Sequence, residues 1–249
     1  MGRLEDAPAP ALRIVRVITD LPAGVETGAR VRLTSEDSHH LQRVLRMRSG
    51  EPFQLCNGHG REWQAVLGDP VERRPVVLEA LLQKELPAMP EPSLQIELCV
   101  AVARGDRVER LIEKAAELGV HRFTPVLTER TTVERSGDER LARWTRLARE
   151  SSALAGRSHA LQVGSPLAFT EVVSSRTGWI LTGGAARWDV CLSGRTTLLV
   201  GPEGGFSAGE IDLARAGGWT AASLGPRTLR VETATVAAVT LALWGSGDL

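Results

Sequence analysis

Residues 222–234 read Ala-Ser-Leu-Gly-Pro-Arg-Thr-Leu-Arg-Val-Glu-Thr-Ala, so Arg227, Arg230 and Glu232 crowd into the few positions between a Gly-Pro turn and an apolar run. A charge beside a buried helix is costly unless it is paired. These groups therefore either pair with one another, as an Arg–Glu bridge capping the last helix, or await a polar ligand. A guanidinium so placed can steady a developing anion, and a carboxylate can take a proton.

A second chemistry-bearing stretch is Thr197-Leu-Leu-Val-Gly-Pro-Glu-Gly-Gly-Phe-Ser-Ala-Gly-Glu-Ile211, a buried-type strand running into a glycine-dense turn and then a helix. Ser207 and Glu210 have the three-residue spacing of a capping box, which marks the helix start. A glycine turn just past a strand's carboxyl end lets a ligand approach the backbone closely, although an ordinary tight turn has the same residues. The pattern is neither G-x-G-x-x-G nor G-x-x-x-x-G-K-[ST], so the usual phosphate cradles lack their parts. Leu181-Thr-Gly-Gly-Ala185 supplies a third turn after a strand. Three such turns can gather into one pocket.

Other basic residues form stripes. Arg107, Arg110 and Lys114 share one helical face opposite Val108, Leu111, Ile112, Ala115 and Leu118, and Arg140, Arg143, Arg146 and Arg149 recur at spacing three. Solvated basic faces are common, and they explain such stripes better than ligand contacts do. His39 and His40 precede Leu41, and Arg43 and Arg46 follow at a helix edge where phosphates can be met. His59 near Cys56 has no further ligand partner, so no metal site is expected.

The elements that must position these residues belong to a chain of 249 residues with 30 Lys+Arg against 30 Asp+Glu, 43% hydrophobic and 24% charged. That composition excludes wholesale disorder and suits one large or two modest domains. Charge balance gives no global pull on nucleic acid, so any contact must come from local patches. Three scattered cysteines, Cys56, Cys99 and Cys191, suggest neither disulfides nor a thiolate zinc site and fit a reducing cytoplasm. Residues 1–10 read as a flexible tail without a signal-peptide core. The apolar stretch 236–244 is too short to span a bilayer, so no membrane role is implied.

Short β-like runs at 13–18, 30–33, 52–56, 62–67 and 75–80 suggest a small barrel interrupted by one helix over 38–48. Three prolines within 86–92 break the pattern and read as a linker. Beyond it, strands are expected at 94–103, 122–127, 178–182, 196–200 and 221–224. Helices are expected at 106–118, 138–155, 207–216 and 232–244. This alternation argues for an α/β domain with a largely parallel sheet.

Taken together, His40-Leu-Gln-Arg-Val-Leu-Arg46, Glu113-Lys-Ala-Ala-Glu-Leu-Gly-Val120, Thr128-Glu-Arg130, Leu199-Val-Gly-Pro-Glu-Gly-Gly205 and Leu224-Gly-Pro-Arg-Thr-Leu-Arg-Val-Glu-Thr-Ala234 resemble the RsmE family of ribosomal RNA methyltransferases, in the SPOUT superfamily. Members of that family methylate N3 of a uridine in 16S rRNA. The resemblance is collinear from about Arg13 to Leu249. It implies a PUA-like β-barrel RNA-binding domain over 11–85, a linker over 86–93, and over 94–249 an α/β SPOUT domain tied in a trefoil knot, in a homodimer. It also implies S-adenosyl-L-methionine held by the three turns, through Leu181, Thr182 and Gly183, through Val200, Gly201, Glu203, Gly204 and Gly205, and through Leu224, Gly225, Arg227, Leu229 and Thr233. Because the N3 proton of uracil must leave, Arg230 is the candidate stabiliser of a uracil anion and Glu232 the candidate proton acceptor, or else the group that orients Arg230. Arg13, Arg16, His40, Arg43, Arg46 and Arg104 are the expected contacts to 16S rRNA within a small ribosomal subunit. The chain departs from the family pattern at Val231, where Thr is usual, and at Leu154, where Gln is usual.

Two other readings start from the same residues. A nucleotide-dependent oxidoreductase suits an α/β domain but lacks the glycine fingerprint and its acidic partner. A non-catalytic RNA-binding factor would use the barrel and the Arg stripes alone.

Overall fold

The computed structural model describes residues 14–101, 107–131 and 138–249. Chain contacts divide it into two units, one of residues up to 57 together with 61–87, the other of 58–60 together with residues from 88 onward.

In the first unit, β1 (Arg16–Ile18), β2 (Arg30–Arg32), β3 (Pro52–Cys56), β4 (Glu62–Arg73) and β5 (Val76–Leu86) form a sheet in the order β1-β3-β4-β5-β2. Only β1 and β3 run parallel; the other pairs are antiparallel. The period of two is explicit on the long hairpin: Trp63, Ala65 and Leu67 from β4 and Leu78, Ala80 and Leu82 from β5 are buried together with Phe53 and Leu55. Both hairpin strands run well past the apolar runs visible in the sequence, because their far ends are held by cross-strand pairing rather than burial.

The helix expected over 38–48 is shorter and irregular. Helix α1 (Ser35–His39) starts at Thr34, whose hydroxyl accepts the Asp37 N–H at 3.0 Å. A π-helical turn follows over His40–Val44, closed by the Leu45 N–H on the His40 carbonyl at 2.9 Å. Arg46 then takes a left-handed φ of 56°, which ends the turn and lets the Met47 N–H reach the Leu41 carbonyl at 2.9 Å. This reversal allows both Leu41 and Met47 to enter the core, which a straight helix does not. Buried Ser38 ties the element to β5, donating to the Thr34 carbonyl and accepting from the Leu78 N–H.

The second unit is built on β6 (Gln95–Ala101), β7 (Arg122–Leu127), β8 (Gln162–Val163), β10 (Trp179–Leu181), β11 (Arg195–Val200) and β12 (Thr220–Ala222), in the order β12-β10-β11-β6-β7-β8, with β9 (Leu167–Ala168) also on β7. Every pair is parallel. Helices cover both faces. Leu98 and Val100 of β6 and Leu198 and Val200 of β11 meet α2 (Arg107–Glu117), α3 (Asp138–Leu154) and α6 (Val231–Ser246). The alternate residues Cys99 and Leu199 meet α4 (Phe169–Ser175) and α5 (Ala208–Ala216). Strands buried on both sides read as continuous apolar runs, as β6 and β11 do.

Helix α4 and strands β8 and β9 have no counterpart in the sequence reading. They are short, and α4 carries two adjacent valines that suit a strand equally well. No described helix is long and apolar enough to cross a membrane.

Two polar clusters fasten this unit. The Arg157 guanidinium grips Glu91 through Nε and Nη2, with its Nη2 contact at 2.6 Å, and Nη1 donates to the Ala116 and Val120 carbonyls at 3.0 and 3.1 Å. It thereby ties Glu91 to the end of α2 and to the turn that follows it. At the other terminus, Gly247 caps α6 in the left-handed region, and the Asp248 carboxylate accepts the Ser93 and Leu94 N–H groups at 2.8 and 3.0 Å and the Ser246 hydroxyl at 2.7 Å. The Ser246 hydroxyl first, and then the Ser93 and Leu94 N–H groups, hold the Asp248 carboxyl down at about 2.

A carboxyl depressed in the folded state contributes stability that is present above its ordinary value and is lost as pH falls through about 2. Asp248→Ala is expected to lower the melting temperature at pH 7 by about 2–4 °C. The gap from the parent should close as the pH approaches 2 in calorimetric scans; a gap constant with pH would contradict this role.

Candidate functional site

Register brings the three glycine turns together. Leu181 of β10 pairs with Val200 of β11 on one side and with Ala222 of β12 on the other, so three neighbouring strands end at one level. Each is followed by one of the turns singled out from sequence. In the first, the Thr182 N–H donates to the Ala222 carbonyl at 2.9 Å. In the second, the Gly205 N–H closes on the Pro202 carbonyl at 2.8 Å. In the third, the Ser223 hydroxyl oxygen accepts the Gly225 N–H at 3.2 Å, and Gly225 adopts a φ of 120° that a side chain would strain.

The tips of these turns face open space. A Cβ added at Gly183, Gly184, Gly205 or Gly225 would meet no atom within 4 Å, whereas one added at Gly201 would lie 2.9 Å from the Phe206 ring. Gly201 thus lets the buried Phe206 fold under the loop, where it packs on Phe169 at 5.6 Å between ring centroids. The backbone of Leu181 and Val200 is at the rim while their side chains are buried in the core. These two residues offer a ligand peptide groups only.

A buried carboxylate sets the second turn. Glu210 accepts the Ser207 N–H at 2.8 Å through one oxygen and the Glu129 N–H at 2.9 Å through the other, and its own N–H donates to the Ser207 hydroxyl at 3.2 Å. The capping box expected from spacing is therefore present. Its second attachment, to the Thr128–Arg130 segment, was invisible in sequence. Arg130 reinforces it by donating to the Gly204 carbonyl. A further link joins the first and third turns: the Trp188 N–H donates to the Ser223 carbonyl at 3.1 Å and the Ser223 N–H to the Ala186 carbonyl at 2.9 Å. Trp188 is buried against Trp179, 5.6 Å between ring centroids.

The charged groups differ from the internal Arg–Glu bridge that sequence left open. Glu232, in the first turn of α6, lies 3.7 Å from the Nε of Arg107 at the start of α2, and Nη1 of the same guanidinium donates to Glu203 in the second turn. With 40% of the Arg107 and 50% of the Glu203 side chain exposed, this ion pair contributes at most about 1 kcal/mol to stability. Placement of carboxylates is the larger consequence. Oε2 of Glu232 is buried without a hydrogen-bond partner. Arg227 and Arg230 are exposed and have no ion pair among the described residues, and the Arg230 carbonyl accepts the Ala234 N–H at 2.8 Å as α6 begins. Leu224 and Leu229 are half-buried and Thr233 is exposed on the first turn of α6.

The two departures from the family pattern fall differently. Val231 is buried in the core under α6, so the position where Thr is usual here carries a packing group. Leu154 ends α3 with 70% of its surface exposed.

Of the RNA contacts expected in the first unit, Arg43 and Arg46 are exposed on and just beyond the π-helical turn and His40 is half-buried there. Arg16 is engaged within the fold. Its guanidinium grips Glu62 at 2.6 Å, and only 15% of the side chain is exposed. The charge is thus committed to a buried acid beside Cys56, whose thiol burial pushes up to about 12. Arg13 and Arg104 lie outside the described residues. On the basic stripes, Arg143 donates to Glu109 at 2.8 Å. Among the described residues, no group of three or more His, Cys, Asp and Glu side chains could hold a metal ion.

This geometry has close relatives. A family model described as an RNA methyltransferase domain matches residues 90–243, and one described as an RNA methyltransferase PUA domain matches residues 33–81. The chain is 35% identical over 224 residues to the ribosomal RNA small subunit methyltransferase E of Synechocystis, covering 85% of this chain and 72% of that one. It is 26% identical to the protein of the same name from Bacillus subtilis, covering 86% and 90%. Among solved structures, a Neisseria gonorrhoeae ribosomal RNA small subunit methyltransferase E bound to S-adenosyl methionine superposes with a TM-score of 0.81 at 31% identity, covering 91% of this chain and 95% of that one. A Legionella pneumophila protein solved with bound SAM gives 0.85 at 29%, covering 94% and 99%.

Gly201→Ala would press a methyl group onto the Phe206 ring and deform the second turn. Binding of S-adenosylhomocysteine, followed by calorimetry, is expected to weaken about tenfold or more, with the helices on the opposite sheet face untouched by circular dichroism. Unchanged affinity would show that this turn does not touch the ligand.

Proposed function

The chain belongs to the ribosomal RNA small subunit methyltransferase E family, and we propose that it transfers a methyl group from S-adenosyl-L-methionine to N3 of one uridine in 16S rRNA. The observation that carries this reading is the convergence of three open glycine turns, at strand ends in register, beside Glu232 and Arg230, which has no ion pair among the described residues.

The residues present fit the donor. Bare turn tips at Gly183, Gly184, Gly205 and Gly225 leave room for a ligand against the backbone, and the peptide groups of Leu181, Thr182, Val200, Gly201, Gly204, Leu224 and Leu229 offer donors and acceptors around it. Glu203, Arg227 and Thr233 flank these turns with polar side chains. S-adenosyl-L-methionine bound there supplies an electrophilic methyl group and a thioether leaving group. The remaining task of the chain is alignment and charge management.

Neutral uracil carries a proton on N3 that must leave as the new N–C bond forms. Glu232 accepts that proton. Arg230, which has no ion pair among the described residues, steadies the negative charge that builds on the pyrimidine. Preorganised charge of this kind acts without reorganisation cost at the moment of reaction. Arg43 and Arg46, with His40, meet RNA phosphates on the first unit. An oxidoreductase reading has no support in the relatives, and a pure binding factor needs no open donor cradle.

A homodimer is part of the proposal. Helix α6 leaves Leu241 and Trp244, 41% and 72% exposed, as apolar surface suited to a second copy.

The direct test incubates small ribosomal subunits lacking the modification with the purified protein and labelled donor, then maps modified nucleosides by mass spectrometry. One 3-methyluridine in 16S rRNA is expected; methylation at a ribose or at another base would overturn the proposed chemistry. Arg230→Ala should reduce the single-turnover rate by about a hundredfold or more, with donor affinity nearly unchanged, and a rate near the parent's would remove Arg230 from the mechanism. Arg43→Ala and Arg46→Ala should weaken RNA binding and lower the salt slope by about one each; an unchanged slope would count against phosphate contact.

A further inference from the structure

Arg107 was one of several basic residues on a helical face, and no chemistry singled it out. The structure places it between two carboxylates from different loops: Glu203, which follows β11, and Glu232, which opens α6. A guanidinium has five N–H donors on a rigid plane, so one edge can hold one acid while another edge serves a second. Here Nη1 donates to Oε1 of Glu203, and Nε faces Oε1 of Glu232 at 3.7 Å. Oε2 of Glu232, buried and without a partner, is what remains.

We propose that Arg107 is a positioning residue for methyl transfer, which fixes the orientation of the Glu232 carboxylate for proton transfer from the substrate and anchors that arrangement to the donor loop through Glu203. This rests on the proposed role of Glu232. Without Arg107, two carboxylates held close by α6 and the second turn repel each other, and Glu232 loses the contact that fixes its rotamer. A lysine at this position keeps the charge but has no second edge, so it can hold one carboxylate firmly and not both. Arg107 needs to touch neither donor nor RNA for this.

The test is single-turnover methylation of small ribosomal subunits at saturating donor and subunit, for the parent, Arg107→Met, Arg107→Lys, Glu232→Gln and the double variant Arg107→Met with Glu232→Gln. Arg107→Met is expected to slow the step by about ten- to a hundredfold, while donor affinity changes less than about threefold. Arg107→Lys should fall in between. Because Arg107 acts through Glu232, the double variant should be no slower than Glu232→Gln alone. Full additivity in the double variant, or a parent-like rate for Arg107→Met while Glu232→Gln is slow, overturns the positioning role. A parent-like rate for Glu232→Gln overturns the proton-acceptor reading instead. Should Arg107→Met fail to fold, Arg107→Lys decides: a parent-like rate with either carboxylate intact contradicts the need for a forked contact.

Discussion

Three neighbouring parallel strands of this protein end at one level, and that arrangement shapes the candidate site. Leu181, Val200 and Ala222 stand side by side at the ends of three adjacent strands, so the chain has to turn three times within one small region. Backbone donors and acceptors that the sheet no longer pairs are then concentrated at that rim. Glycine is needed there for two reasons that differ by position. Gly225 takes a backbone conformation that a side chain resists, and Gly201 makes way for the Phe206 ring beneath it.

What stiffens the rim is polar. Glu210 spends its two oxygens on two separate loops, and Arg130 adds a donor to the Gly204 carbonyl. A buried carboxylate survives only when such bonds satisfy it, and removing one partner costs more than a neutral hydrogen bond yields. The exposed Arg107 ion pairs obey another logic. Screening by solvent leaves them little influence on stability, so their effect lies in where they put the Glu203 and Glu232 carboxylates. The contrast separates residues that hold the loops from residues that place the carboxylates.

Much of this was legible in the sequence. Period-two and helical patterns placed nine of the twelve described elements of the second unit, and Ser207 and Glu210 marked a helix start that the structure contains. Short elements escaped: α4, with two adjacent valines in seven residues, carries no distinctive period. The π-helical turn escaped because its cause, the burial of both Leu41 and Met47, is a tertiary demand. Charge pairing was the least legible. Arg16 read as an RNA contact, and only the fold shows Glu62 against it. Arg107 read as one of a stripe, and only the packing of α2 near α6 and the second turn brings it to two acids. A knot, similarly, leaves no trace in periodicity; the resemblance alone implied it.

The central claim, that the three turns together hold the methyl donor, is tested most directly by hydrogen–deuterium exchange of the full chain with and without saturating S-adenosyl-L-methionine. Slowed exchange confined to peptides spanning 182–184, 201–205 and 224–230 is the expected result. Protection of only one of these turns, or protection centred elsewhere while the donor is bound, would contradict it.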